Sequence, residues 1–342
     1  MSDVRLILGD CLEVLPTLPD SSVNLIVTDP PYYKVKGDWW DRQWDTPTAF
    51  LAWLDKVLAE FYRVLAPNGS LYLFASPRMA ARVECLVGER FNVLNRITWA
   101  KPPYSTKAEM FRKGDLRMFF PSSEAIIFAE HHGADGYAKG ESAKCDELRG
   151  FVFEPLRAYI KAEWQRAGLD RQDMNKAVGS SLSGGGMASH YIGDTGQWSL
   201  PTAEHYQSLR EYADANDHGG EYLRRDYEYL RREYEDLRRP FSVSAEVPYT
   251  DVWTFPTINA YPGKHPCEKP LAMMEHIVTA SSRPGDVVLD SFCGSGNSGI
   301  AAHKHGRDYV GIDIGAHWVE TAERRIAEAQ LQLRMPLEVA AI

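Results

Sequence analysis

Asp29, Pro30, Pro31 and Tyr32 follow, after Thr28, the apolar run Val23 to Val27, and Trp39, Trp40 and Trp44 come soon after. A carboxylate, two rings that restrict the backbone and an aromatic face can hold a flat, hydrogen-bonding group in one orientation. The apolar run reads as a buried strand, and the two prolines end it because neither has an N–H to give a ladder. Residues 29–32 therefore sit just past the carboxyl end of a strand, where open α/β sheets bind their ligands.

A second constellation lies near the other end of the chain. The strand pattern Asp286 to Leu289 runs through Asp290, Ser291, Phe292 and Cys293 into Gly294-Ser295-Gly296-Asn297-Ser298-Gly299 and a helical pattern, and a further strand ends at Asp313. Glycines at such a turn let backbone approach a ligand, and an acid closing the next strand can accept from both hydroxyls of a ribose. A nucleoside cofactor is implied. In an NAD enzyme the strand usually enters the glycines directly, whereas in this chain four residues intervene. Asp290 and Phe292 put an acid and an aromatic where a methionine amino group and a purine or sulfonium could be met, which favours S-adenosylmethionine.

Short apolar runs at Arg5 to Leu8, Val23 to Val27, Ser70 to Ala75, Glu124 to Ala129, Asp286 to Leu289 and Tyr309 to Ile312 alternate with helical patterns. The stretch from Pro47 carries Phe50, Leu51, Leu54, Val57, Leu58, Phe61 and Leu65 at helical spacing, with Asn68-Gly69 as its stop signal. This order predicts an α/β, doubly wound, Rossmann-like domain with a mostly parallel sheet, formed by residues 1–150 and 246–342. Residues 151–245 break the pattern and read as an inserted helical domain. Its repeat EYLRRDY-EYLRREY-EDLRRPF predicts an exposed amphipathic helix with Tyr222, Leu223, Tyr229, Leu230 and Leu237 on one side, ended by Pro240.

TDPPY, DSFCGSG and, between them, HPCEKP at 265–270 together resemble the amino-group DNA methyltransferases of the beta arrangement, in which the catalytic half precedes the cofactor half. The likeness covers residues 4–130 and 248–330. It implies double-stranded DNA as substrate and S-adenosylmethionine as cofactor. It also implies that Asp29, Pro30, Pro31 and Tyr32 form the catalytic loop, that Phe292, Gly294 and Gly296 wrap the methionine part, and that Asp313 holds the ribose. Lys269 would lie near the methionine carboxylate and Asp10 near the adenine amine, with the two chain ends close together. The resemblance gives the first motif its chemistry. An adenine amine is a poor nucleophile because its lone pair is delocalised into the ring, so two acceptors aimed at its hydrogens, the Asp29 carboxylate and the Pro30 carbonyl, would make it more tetrahedral. Tyr32 would stack on the base once it leaves the duplex.

Composition narrows the alternatives. The chain has 342 residues, 44% of them hydrophobic, no charged-then-apolar export signal at its start and no apolar run near the roughly 20 residues of a membrane span. It reads as soluble and cytoplasmic, with no membrane partner, and a homodimer is left open. Its five cysteines, never spaced C-x-x-C, argue against a disulfide framework or a zinc site, and His131, His132 and His265 lack a second pair at ligand spacing. The metal expectation is none. The net charge of −9 is awkward for a partner of phosphate, but Arg96, Lys101, Lys107, Arg112, Lys113 and Arg117 cluster among aromatics between Asn95 and Phe120, a candidate wall for a nucleic-acid backbone.

Four readings stand side by side: adenine-N6 methylation, cytosine-N4 methylation, an NAD-dependent oxidoreductase, and a non-catalytic DNA-binding protein. An RNA substrate would use the same flipping and stacking. In the insertion, residues 156–179 resemble the first two helices of phage-repressor helix-turn-helix domains, with Asp170 as N-cap and Gly168 ending the preceding helix. A structural helical module is the alternative. Cys267, after Pro266, reads as a packing residue and not as a nucleophile.

Overall fold

In the computed structural model of the protein, which describes residues 2–101, 117, 119, 121–131, 152–182, 184–193, 198–216, 220–243 and 249–334, the chain divides into two compact units. Among the described residues of the first unit, eight strands form one sheet: β1 (Val4–Leu8), β2 (Val23–Thr28), β3 (Leu65–Ala75), β4 (Asn92–Ala100), β5 (Ser123–Glu130), β6 (Val252–Trp253), β7 (Val287–Asp290) and β8 (Asp308–Asp313). Their order is β1-β8-β7-β2-β3-β5-β4-β6. All pairs are parallel except β3 with β5 and β4 with β5. The expected mostly parallel, doubly wound sheet is present.

Both sheet faces are covered. Phe50, Leu54, Val57, Leu58 and Phe61 of the helix Pro47–Val64 pack with Ile26, Leu71, Leu73 and Ile127 on one face. On the other, Met273 and Ile277 of helix Leu271–Ser281, Ile300 of helix Asn297–Lys304 and Ile326 of helix Ala316–Arg334 pack with Leu25, Val27, Phe74 and Val288. Burial on both sides explains why β2 and β7 read as largely apolar runs. The amino-terminal strand lies against the cofactor half of the sheet: β1 pairs with β8, and Asp3 N–H donates to Asp308 Oδ1 at 2.7 Å.

Three expectations are revised. The helix from Pro47, capped by Thr46, ends at Val64, so Asn68 and Gly69 lie inside β3. Gly69 is there because a Cβ would stand 2.9 Å from the carbonyl oxygen of Asn24 and 2.5 Å from the Leu65 side chain. Secondly, β4 occupies the start of the supposed basic loop: Trp99 is 3% exposed in the core, and Lys101 pairs with Glu124. Lys107, Arg112 and Lys113 lie outside the described residues. Thirdly, Phe241 stacks on Phe128 and the Ser242 N–H donates to Ala280, so residues 240–243 belong to the first unit and not to the insertion.

The described part of the second unit, 152–239, contains helices Glu154–Arg166, Arg171–Ala177, Gly186–Tyr191, Ala203–Asn216 and Tyr227–Leu237 around its own core of Leu156, Ile160, Trp164, Met174, Tyr206 and Leu230. Asp170 caps the second of these in a reciprocal capping box with Asp173, and Gly168 has φ +71° after the first. The tyrosine-rich repeat is helical only from Tyr227, because Asp226 caps that turn and Leu223 takes φ +50° before it. Tyr222 and Leu223 are buried while Tyr229 is exposed, so the expected single apolar side is not formed.

Candidate active site

The centre of the sheet is its topological switch point. From β7 the chain crosses to β8 on one side, from β2 to β3 on the other, and β2 and β7 are neighbours. Their carboxyl ends deliver Asp29 and Asp290 to one crevice, the place where such sheets bind ligands. Thr28 fastens the two ends together: its hydroxyl donates to Asp290 Oδ1 at 2.8 Å and accepts from the Ser291 N–H at 3.1 Å. A cavity of about 330 Å³ opens there, lined by Asp10, Asp29, Pro30, Pro31, Tyr32, Phe292 and Asp313 among others.

The loop after β2 is held by a residue that no sequence motif marks. Asp41 is fully buried, and its carboxylate accepts the backbone N–H groups of Tyr32, Val35 and Lys36 at 2.5–2.6 Å. These bonds bracket Tyr33 and Lys34, both in the left-handed region at φ +61° and +58°. A side chain there costs about 1–2 kcal/mol per residue, and hydrogen bonds to a charged group, worth about 1.5–3 kcal/mol each, offset it. Asp41→Asn should therefore speed amide exchange at residues 32, 35 and 36 by about tenfold or more, since its NH₂ faces a donor. Unchanged exchange at those three amides would contradict this assignment. The neighbouring tryptophans divide: Trp44 packs on Phe50 and Trp53, whereas Trp39 is 64% exposed at the cavity rim.

The glycine turn packs closely against the helix Ala316–Arg334. Gly294 and Gly296 have φ +49° and +83°. A Cβ on Gly296 would lie 2.8 Å from that of Ala322, and one on Gly299 2.6 Å from Ile326. The HPCEKP segment locks on to the turn. Asn297 Nδ2 donates to Glu268 Oε1 and to the Lys269 carbonyl, and the His265 ring stands 3.2 Å from where a Gly294 Cβ would be.

Asp313 accepts the N–H groups of Gly294 and Gly315, both at 2.8 Å, one on each oxygen, which leaves each oxygen a lone pair towards the cavity. Burial raises its carboxyl above the ordinary range. Asp10 caps the turn Cys11–Val14 and faces the same cavity. Phe292 lines it against Trp53. Asp290 is chiefly structural: besides Thr28 it accepts from the Phe292 N–H and the Ser298 hydroxyl, and burial pushes it up to about 6. Two further polar atoms at the crevice, Ser291 Oγ and Asn297 Oδ1, are buried without a hydrogen-bond partner among the described residues.

Lys269 lines a smaller cavity with Gly294 and Asn297, and its ammonium is buried between two carboxylates, bonded to Asp29 Oδ2 and 3.3 Å from Glu124 Oε2. Glu124, at the start of β5, also accepts the Tyr32 hydroxyl at 3.0 Å and pairs with Lys101. Burial raises the Asp29 carboxyl, with Lys269 pulling the other way. Burial opposes ionisation of Glu124 too, yet Lys269 and Lys101 outweigh it and hold it down at about 2. Asp29 Oδ1 is buried and has no hydrogen-bond partner among the described residues. The site thus offers one unpartnered acceptor oxygen and, lined by Asp29 and Tyr32 alike, a cavity of about 330 Å³. Cys267 fits no nucleophilic role, because burial pushes its thiol up to about 11.

Residues 23–324 match the DNA methylase family N6_N4_Mtase. The chain is 25% identical over 319 residues to DNA adenine methyltransferase YhdJ of Escherichia coli (strain K12), covering 93% of this chain and 81% of that protein. The structure of the M1.HpyAVI–SAM complex superposes with a TM-score of 0.50 at 17% identity, over 94% of this chain and 98% of that one. PvuII DNA methyltransferase, cytosine-N4-specific, gives a TM-score of 0.51 at 13% identity, over 97% and 93%. At these identities the two structural likenesses concern the fold.

Proposed function

Since the chain belongs to the DNA methylase family, matched over residues 23–324, we propose that it methylates specific sites in double-stranded DNA, moving a methyl group from S-adenosylmethionine to the exocyclic N6 amine of an adenine turned out of the helix. The observation that carries this reading is the asymmetry of Asp29: Oδ2 is tied to Lys269, whereas Oδ1 is buried without a hydrogen-bond partner among the described residues, with the Tyr32 hydroxyl nearby. A buried acceptor without a donor costs free energy that a bound amine would recover. Asp29 Oδ1 and the Pro30 carbonyl each take one amine hydrogen, and Tyr32 stacks on the base. Catalysis at such a site is positioning and electrostatics.

The cavity fits the cofactor. S-adenosylmethionine, when bound, supplies a methyl group made electrophilic by its sulfonium. Gly294 and Gly296 let backbone close on its methionine part, Asp313 accepts from its ribose, and Asp10 receives its adenine amine. Ser291 Oγ, in the larger cavity, could give a hydrogen bond to a carboxylate, and Asn297 Oδ1, in the smaller one, could accept from an ammonium. Asp313→Ala should weaken S-adenosylmethionine binding by about 10- to 100-fold in calorimetry, because two hydrogen bonds to a charged acceptor are lost. An unmoved dissociation constant would show that the ribose lies elsewhere. A thermal-shift comparison should show stabilisation by S-adenosylmethionine and none by NAD, and the reverse would turn the assignment to an oxidoreductase.

Cytosine N4 is the second reading, because its amine offers the same two hydrogens and the cytosine-N4-specific PvuII enzyme shares the fold. The aspartate opening the loop and the adenine specificity of YhdJ support adenine.

A further inference from the structure

We propose that Glu124 is a positioning residue for the reaction, fixing both the charge partner of Asp29 and the ring of Tyr32 from a strand the catalytic loop does not belong to. The inference deepens the function above and rests on it. Glu124 begins β5, two strands from β2 in the sheet order, and is separated from Tyr32 by 92 residues in sequence. One of its oxygens, Oε2, takes the Tyr32 hydroxyl and lies 3.3 Å from Lys269 Nζ, while Oε1 is held by Lys101.

Those contacts act at two points. Tyr32 is held at its far end by the hydroxyl bond, with the Lys269 ammonium 5.2 Å from its ring centroid, so the face it offers to a base is set before the base arrives. Lys269 is shared between two carboxylates, so it anchors Asp29 Oδ2 without its charge belonging to Asp29 alone. Two carboxylates and two ammoniums balance in the cluster, as buried charges require. With Glu124 neutral, Lys269 would draw Asp29 more completely into the pair, leaving a less basic Oδ1 and a less strictly held ring.

Charge at Glu124 and charge at Lys269 act on Asp29 in opposite directions: the carboxylate raises its titration point and the ammonium lowers it. Other groups around Asp29 are the Tyr32 hydroxyl, Asp290 and Cys267, and Lys101 stands behind Glu124. None of these is altered by the substitutions below.

The test uses the full-length protein, ¹³C-labelled at aspartate carboxyls, with the Asp29 signal assigned by its absence in Asp29→Asn. Glu124→Gln should move the Asp29 titration down by about one pH unit, and Lys269→Gln should move it up by about one. Glu124→Asp, which keeps the charge, should leave it near its original position. In steady-state methylation Glu124→Gln should lower kcat about 10- to 100-fold, with the acid limb of the rate profile displaced downward and the S-adenosylmethionine dissociation constant within about twofold. A merely structural Glu124 would make the Gln and Asp variants alike and leave the titration in place, which overturns the inference while wild-type methylation stands. Shifted titrations in a protein that methylates no DNA would uphold the charge coupling and overturn the function instead. Should the Lys269 variant fail to fold, the Glu124 pair alone decides the matter.

Discussion

Asp29→Ala is expected to cut methyl transfer by at least about a hundredfold while S-adenosylmethionine binding stays nearly intact, the cost commonly seen when one polarising group is removed from a site. In the proposed site the carboxylate would meet the target amine through its unpartnered Oδ1, and the cofactor would be met by Asp10, Asp313 and the glycine turn instead. Folding should survive, because Lys269 keeps Glu124 as a counter-charge when Asp29 is gone. Single-turnover transfer and calorimetry on the same preparation separate the two effects. Transfer at close to the original rate would remove Asp29 from the chemistry, and a lost cofactor affinity would move it to the binding site.

The second large effect concerns specificity. Replacing residues 152–239 with a short Gly/Ser linker should leave a first unit that folds and binds cofactor, since each unit has its own core. Its preference for a specific site should fall about a thousandfold or more, to the level of random sites, the span that separates specific from non-specific DNA binding. Phosphate contacts position a protein, and base contacts specify the sequence. The helix pair Glu154–Arg166 and Arg171–Ala177, the second capped by Asp170, is the element proposed to make the base contacts. Lys107, Arg112 and Lys113, in contrast, should carry affinity without sequence information, so replacing all three by alanine should weaken binding to every DNA alike and flatten its salt dependence. Lys101 leaves that set because its ammonium is held by Glu124. A deletion variant that keeps full site preference on a random-sequence library would shift recognition to the first unit.

What could be read in the sequence was what local physics controls. Strands β2 and β7 are buried on both faces and so announce themselves as apolar runs, and the residues after them had to meet at the switch point once the order of elements was known. Gly294 and Gly296 were legible because only glycine takes their backbone angles without strain. Strand β4 was not, because it carries Asn92, Asn95 and Arg96 and its burial is interrupted. Neither Asp41 nor Glu124 could be found by spacing. Asp41 acts by gathering three backbone N–H groups in a loop whose path no periodicity describes, and Glu124 arrives from another strand. Lys269 was identified in its motif, but its partners Asp29 and Glu124 were not, because a lysine's partner depends on which carboxylates the fold brings near.

The most direct measurement is the identity of the methylated base. Full-length protein, double-stranded DNA and S-adenosylmethionine labelled in the methyl group would be incubated, the DNA digested to nucleosides, and the label located by chromatography and mass spectrometry. The adenine-N6 reading proposed for this site predicts label in N6-methyldeoxyadenosine, lowered at least about a hundredfold when Asp29→Ala replaces the native protein. Label in N4-methyldeoxycytidine would keep the mechanism and change the base, whereas label on a ring carbon, or label undiminished in Asp29→Ala, would contradict a catalytic role for the free oxygen of Asp29.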